Sequence, residues 1–357
     1  MPSRRRMITT ALAATVLPAP TWAAAGAPTH LAAARRPGGA HDLCGLRADG
    51  TLAFALPLPA RGHAAAAHPD RAEAVAFARR PGTFAILLDC ATGRIVRRMQ
   101  APEGRHFYGH GVFSRDGRTL FTTENDITSG DGRIGIWDAA AGYRRVGEIP
   151  SNGIGPHEII RLPETDTLVI ANGGIHTHPD SGRDKLNLET MRPNLTVLDV
   201  HGGVQDTAEL PAALHMNSLR HIAAFHDGRV ACAFQWQGDP YDSPSIAGLY
   251  TPGAGIALLD MPEVTLRGSR GYAGSVAVLG THHMGITFPR GGRLLVADLA
   301  SHAVKTLRRA DACGIARAGQ GGLATDGLGG VHRIDRHGFS LLARHRRSFD
   351  NHLIAIR

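Results

Sequence analysis

Cysteine is scarce in this chain. Cys44, Cys90, Cys232 and Cys313 are the only four among 357 residues. They form no CxxC pair, so zinc-finger and dithiol redox sites are excluded. Cys232 sits inside Val230-Ala231-Cys232-Ala233-Phe234 and is expected to be a small core residue. The signatures of several enzyme classes are also missing: there is no GxSxG elbow, P-loop or dinucleotide fingerprint. His157-Glu158-Ile159-Ile160-Arg161 lacks the second histidine of a metalloprotease helix. The stretch from Glu124 to Gly132 lacks the spacing and final glutamate of a calcium loop. Helix-period patterns and heptads are absent, and beyond the N-terminus no apolar run is long enough to span a membrane.

The N-terminus reads as a targeting segment. Ser3-Arg4-Arg5-Arg6-Met7-Ile8 is a twin-arginine export motif, followed by an apolar stretch and a small-residue cleavage region at Thr21-Trp22-Ala23-Ala24-Ala25. Residues 1–25 are therefore assigned to the signal and 26–357 to one folded domain, expected in the bacterial periplasm. Loss of Arg4, Arg5 and Arg6 takes the formal charge from +8 to +5. That moderate value, without a concentrated basic stripe, argues against a nucleic-acid partner.

Glycine and histidine are plentiful, at 44 and 20 residues. Glycine fits a turn-dense all-β chain. The clearest repeat runs from His110 to Ser151: four short apolar stretches separated by turns, over roughly the length of one propeller blade. Further copies begin near His63, His157, His221, Gly274 and Cys313. Leu88-Asp89, Trp137-Asp138, Leu198-Asp199, Leu259-Asp260 and Ala297-Asp298 mark the ends of third strands, where Asp can stabilise a turn through the backbone two residues on. A seventh copy starts at His352 and takes its other strands from the N-terminus, near His30, His41 and Leu52. The expected fold is an all-β, seven-bladed β-propeller closed by pairing the C-terminal strand with N-terminal strands, which removes free sheet edges.

In such a fold one position repeated in each blade becomes a ring around the channel. His63, His110, His157, His221 and His352 occupy that position, and imidazole binds zinc, copper, iron and nickel. Glu158, Asn351 and Arg220 flank the ring and are candidates for orienting it. The loops between second and third strands return to the same end, bringing Glu124, Asp126 and His178 from one side. Short basic turns with Arg36, Arg80 and Arg290 come from the other, and their guanidiniums suit an anionic co-ligand such as a carboxylate.

Several stretches resemble a family of uncharacterised, twin-arginine-exported bacterial propeller-like proteins, a domain of unknown function. They are Arg61-Gly62-His63, Gly109-His110-Gly111-Val112-Phe113-Ser114 with Thr123-Glu124-Asn125-Asp126, Gly155-Pro156-His157-Glu158, Ala171-Asn172-Gly173-Gly174-Ile175, and Asp350-Asn351-His352-Leu353. The family's genes tend to accompany imelysin-like and dihaem-peroxidase-like iron-uptake proteins, so the resemblance implies iron handling with periplasmic protein partners. Met216–His221 departs from the family pattern. In architecture the ring is also similar to the histidine-ringed copper propeller of nitrous oxide reductase, where seven histidines hold a copper cluster. This chain has five, and blades five and six offer Gly274-Ser275 and Cys313-Gly314 at that position.

The expectation is a metal-binding propeller for iron or copper acquisition or handling, with the ring at the channel mouth. The alternatives are a metal-dependent enzyme on a small anionic substrate, with Glu124, Asp126 or Glu158 as base, and a metal-free interaction platform.

Overall fold

The computed structural model of the chain describes residues 19–80, 83–182, 184–335 and 338–356. The twin-arginine motif lies outside them. Seven four-stranded antiparallel sheets form a ring, a β-propeller. The innermost strands of blades one to seven are Gly62–Ala67, Arg105–Phe113, Pro156–Arg161, Asn217–Ala224, Ser275–Leu279, Ala312–Ala318 and Ser348–Ala355. Blade seven is completed by His30–Arg35, His41–Leu46 and Leu52–Leu58, so the last strand pairs with the first and the ring closes.

Each sheet packs both faces on its neighbours. Inner strands are therefore continuous apolar runs rather than alternating ones. Leu168–Asn172, Asn194–Leu198 and Ser275–Leu279 are buried along their whole length. The outermost strand Arg94–Met99 is exposed except at Met99. The inter-blade layers are anchored by Phe77, Phe225, Phe234 and Phe288, all fully buried. Each such side chain contributes roughly 1.5–3 kcal/mol. The four cysteines are buried and unpaired, Cys232 among the core residues of blade four as its neighbours indicate.

The aspartate turns form as expected at four sites. Asp89, Asp138, Asp199 and Asp298 each accept backbone N–H groups from the residues that follow. Leu259-Asp260 is the exception. The third strand of blade four is Ala247–Thr251, and Pro252-Gly253 makes the turn, so Leu259-Asp260 follows the fourth strand, Gly255–Leu258. A short helix, Glu263–Ser269, then leads to blade five. No helix among the described residues is long and apolar enough to cross a membrane.

The segment read as the cleavage region is packed against the propeller. Trp22 and Ala25 are buried with residues of blades seven and one. The Trp22 indole N–H donates to the His68 carbonyl at 2.8 Å, and Thr21 bridges Arg71. The packed part of the chain thus extends N-terminal of residue 26.

Candidate metal centre

A regular β-ladder would point alternate residues of the inner strands into the blade. Here the ladder is interrupted. Pairing between first and second strands slips between Gly62 and Ala65, Phe107 and Gly111, Pro156 and Glu158, and Leu219 and His221, and also in blade seven between Ala32 and Ala34. These bulges lie at or beside the five histidines. A bulge bends its strand and re-aims a side chain. Gly109 serves the same end: its φ is +108°, and a Cβ there would lie 2.5 Å from the His63 ring. Blade five pairs without a slip from Ser275 to Leu279. Blade six does slip, but Gly314 stands there, and a Cβ would meet the Leu353 nitrogen at 2.8 Å. Two blades therefore contribute no imidazole.

The five rings converge. Centroid separations are 4.4 Å for His63–His352, 4.6 Å for His110–His352, 4.8 Å for His221–His352 and 4.9 Å for both His63–His110 and His157–His221. Two triads have nitrogens within 4.8 Å of one another: His63, His110 and His157, and His110, His221 and His352. His110 belongs to both. Two nitrogens on one ion at about 2.1 Å can be at most about 4.2 Å apart, so small side-chain rotations close either triad.

The surroundings define the tautomers. His157 Nδ1 is 3.0 Å from the Arg220 carbonyl, which only accepts, so this nitrogen carries the proton and Nε2 keeps a lone pair. His221 Nδ1 is 3.2 Å from Glu158 Oε2, which also accepts the Ile222 N–H at 2.9 Å. His110 Nδ1 faces the other Glu158 oxygen at 3.7 Å. The carboxylate therefore orients the His221 ring and lies close to that of His110. His63 Nδ1, His110 Nε2 and His352 Nε2 are buried with no hydrogen-bond partner among the described residues. Unpartnered buried nitrogens are costly; single ones also occur at His106, His176 and His332, whereas here three meet in one cluster.

The charge state agrees. Burial holds the pKa of His63, His157 and His352 well below the usual imidazole range, with neighbouring imidazoles and Arg79 or Arg220 adding to it. Burial also takes His110 down to about 4, against the pull of Glu158. These four rings are thus neutral at physiological pH and their lone pairs are free for a cation. Burial opposes ionisation of Glu158, but the His221 hydrogen bond, the two nearby imidazoles and the Ile222 N–H outweigh it and leave its pKa lowered. The donor set is all nitrogen, with one carboxylate close by and no sulfur in either triad.

The loop side of the cluster differs from an open mouth. Asp350 accepts from Arg61 at 2.6 Å and Arg79 at 2.7 Å, and Asn351 donates to the Tyr272 hydroxyl at 3.1 Å. The open volume lies further along the inner strands. A cavity of about 770 Å³ is bounded by His110 and Glu158 at the cluster and by mainly apolar residues, such as Ala66, Val112, Ile160, Ala223, Val278 and Ile354, along its walls.

The remaining candidates are dispersed. Glu124 is fully buried and paired with Arg145 at 2.9 Å, and it accepts from Thr122 at 2.7 Å. Asp126 pairs with Arg105 at 2.9 Å and caps its own turn through Thr128 and Ser129. His178 stands beside Asp180. Arg36 is paired with Asp42. Arg290 lies over the Tyr272 ring at 4.1 Å, and Arg80 has contacts of its own. Sequence reasoning gave no role to Tyr272, Asp350 or Arg79, because nothing local in the sequence shows that they meet.

A model of the family described as "Protein of unknown function (DUF1513)" matches residues 56–356, and the chain belongs to that family. No curated protein sequence matches it. Among solved structures, hydrazine synthase from Kuenenia stuttgartiensis is similar at 12% identity, with a TM-score of 0.59 over 86% of this chain and 89% of that one. U3-55K is similar at 13% identity, with a TM-score of 0.56 over 80% and 83%. At such identities these likenesses show the propeller fold alone.

Proposed function

We propose that this DUF1513 protein binds a transition-metal ion in its five-histidine cluster and acts in metal acquisition or handling outside the cytoplasm, after export by the twin-arginine route. The observation that carries the reading is the convergence of five imidazoles, three of them with a buried, unpartnered nitrogen. Histidines elsewhere leave at most one isolated buried nitrogen unpartnered, as His332 does, whereas here three such nitrogens would be answered by a shared ligand. Iron and copper suit an all-imidazole set, and Glu158 offers a harder oxygen and a balancing negative charge. Copper would hold the higher affinity by the general divalent order, whereas iron follows from the family resemblance.

A second reading, a metal-dependent enzyme, draws on the cavity that reaches His110 and Glu158. It gives a small molecule an approach to the cluster, with Glu158 placed to take a proton. A metal-free interaction platform has no use for the unpartnered nitrogens. Cobalt(II) titration of metal-free protein tests the metal reading. Visible d–d bands that saturate at one or two equivalents support it, and their persistence in His110→Ala/His157→Ala would overturn it. An added anion that shifts those bands would show an open coordination position and favour the enzyme.

A further inference from the structure

On the side of the long loops, no carboxylate among the described residues pairs with Arg220, Lys185 or Arg290. Arg220 immediately precedes the ring residue His221. Its side chain is largely buried, its Nε is buried with no hydrogen-bond partner, and no carboxylate among the described residues pairs with it. Its charged neighbours are Arg80, and the hydroxyl groups of Tyr108 and Tyr272 lie nearby. Lys185, from the long loop of blade three, lies close enough to Arg220, Arg290 and Arg80 to be repelled by all three. Its ammonium donates to the Gln237 side-chain oxygen at 2.6 Å, which is neutral. Arg290 stacks over Tyr272, a residue bridged to Gln235 at the boundary of blades four and five. The nearest carboxylate of the inner ring, Asp350, is already shared by Arg61 and Arg79.

Burying a guanidinium with an empty donor is costly, and the Lys185 ammonium, near both Arg220 and Arg290, raises that cost. The arrangement is stable with a counter-charge in the middle. We propose that Arg220, Lys185 and Arg290 form a binding site for a small multivalent oxyanion, a polycarboxylate or a phosphate, on the loop side of the histidine cluster. Guanidiniums match the planar oxygens of these groups in pairs. Sequence reasoning expected an anion at Arg36, Arg80 and Arg290. Arg36 is engaged by Asp42, and the buried donor that defines the site is Arg220.

The proposal stands whether or not the cluster holds a metal, so its test uses metal-free protein. Citrate and inorganic phosphate are titrated by calorimetry into wild type, Arg220→Met and the exposed-loop variant Lys185→Ala/Arg290→Ala. Saturable binding of at least one anion is expected, weakened about tenfold or more in each variant and further weakened by salt. The loop variant carries the test if Arg220→Met does not fold. Absence of saturable binding below about 10 mM for both anions, or affinity unchanged in the variants that fold, would overturn the site.

Discussion

Acid should destabilise the metal-free protein through the histidine cluster. His110 has a folded-state pKa of about 4 against an ordinary value of 6.5. Because the folded value is lower, the unfolded chain binds the proton first. Stability is therefore complete above about pH 6.5 and falls as the pH drops towards 4. At 1.36 kcal/mol per pH unit, His110 alone costs about 2 kcal/mol at about pH 5 and about 3 kcal/mol at about pH 4. His63, His157 and His352 are shifted in the same direction, chiefly by burial, so the cluster as a whole loses more. The assay is urea unfolding of metal-free wild type and His110→Asn between about pH 7.5 and about pH 5. The variant should recover about 2 kcal/mol of the wild-type pH dependence. Equal slopes for the two proteins would mean that His110 is not a buried neutral base, and the lone-pair argument for metal binding would fall with it. Bound metal should remove most of the acid sensitivity down to the pH at which it dissociates.

Other outcomes follow from the same geometry. Glu158→Gln should keep the fold but weaken metal affinity about 10–100-fold, measured by competition with a chromophoric chelator, because it loosens His221 and removes the negative charge beside His110. Glu124→Gln should destabilise by about 1–3 kcal/mol in urea unfolding, since it weakens the bonds a fully buried carboxylate accepts from Arg145 and Thr122, while Arg145 keeps its ion pair with Glu148. It should leave metal affinity unchanged, separating this glutamate from the centre. Removal of residues 348–357 takes away the innermost strand of blade seven together with His352. Circular dichroism should show loss of cooperative unfolding rather than a propeller of six blades.

The blades were legible because their cause is local. Apolar runs such as Leu168–Asn172, and turns held by Asp89, Asp138 or Asp199, are written in neighbouring residues. Closure followed from counting strands, since His30–Arg35 needed an inner partner and Ser348–Ala355 needed outer ones. The ring was legible because its histidines share a register. Less could be seen of what aims them: a bulge at Pro156–Glu158 adds one residue without changing the local pattern. Long-range pairs were hidden as well. Glu124 reads as a loop acid until Arg145, from the fourth strand of its blade, meets it. Arg220 reads as one flanking charge until the long loop of blade three brings Lys185 near it. The false turn at Leu259-Asp260 arose because the sequence matched while Pro252-Gly253, a stronger turn former, stood closer to the strand.

Elemental analysis tests the central claim most directly. The protein is purified without a histidine tag or chelator, beside His110→Ala/His157→Ala. The account predicts near-stoichiometric iron or copper in the wild type and its loss in a variant that still folds. A folded wild type that carries no transition metal and takes none up, or a double variant that retains a full complement, would contradict it.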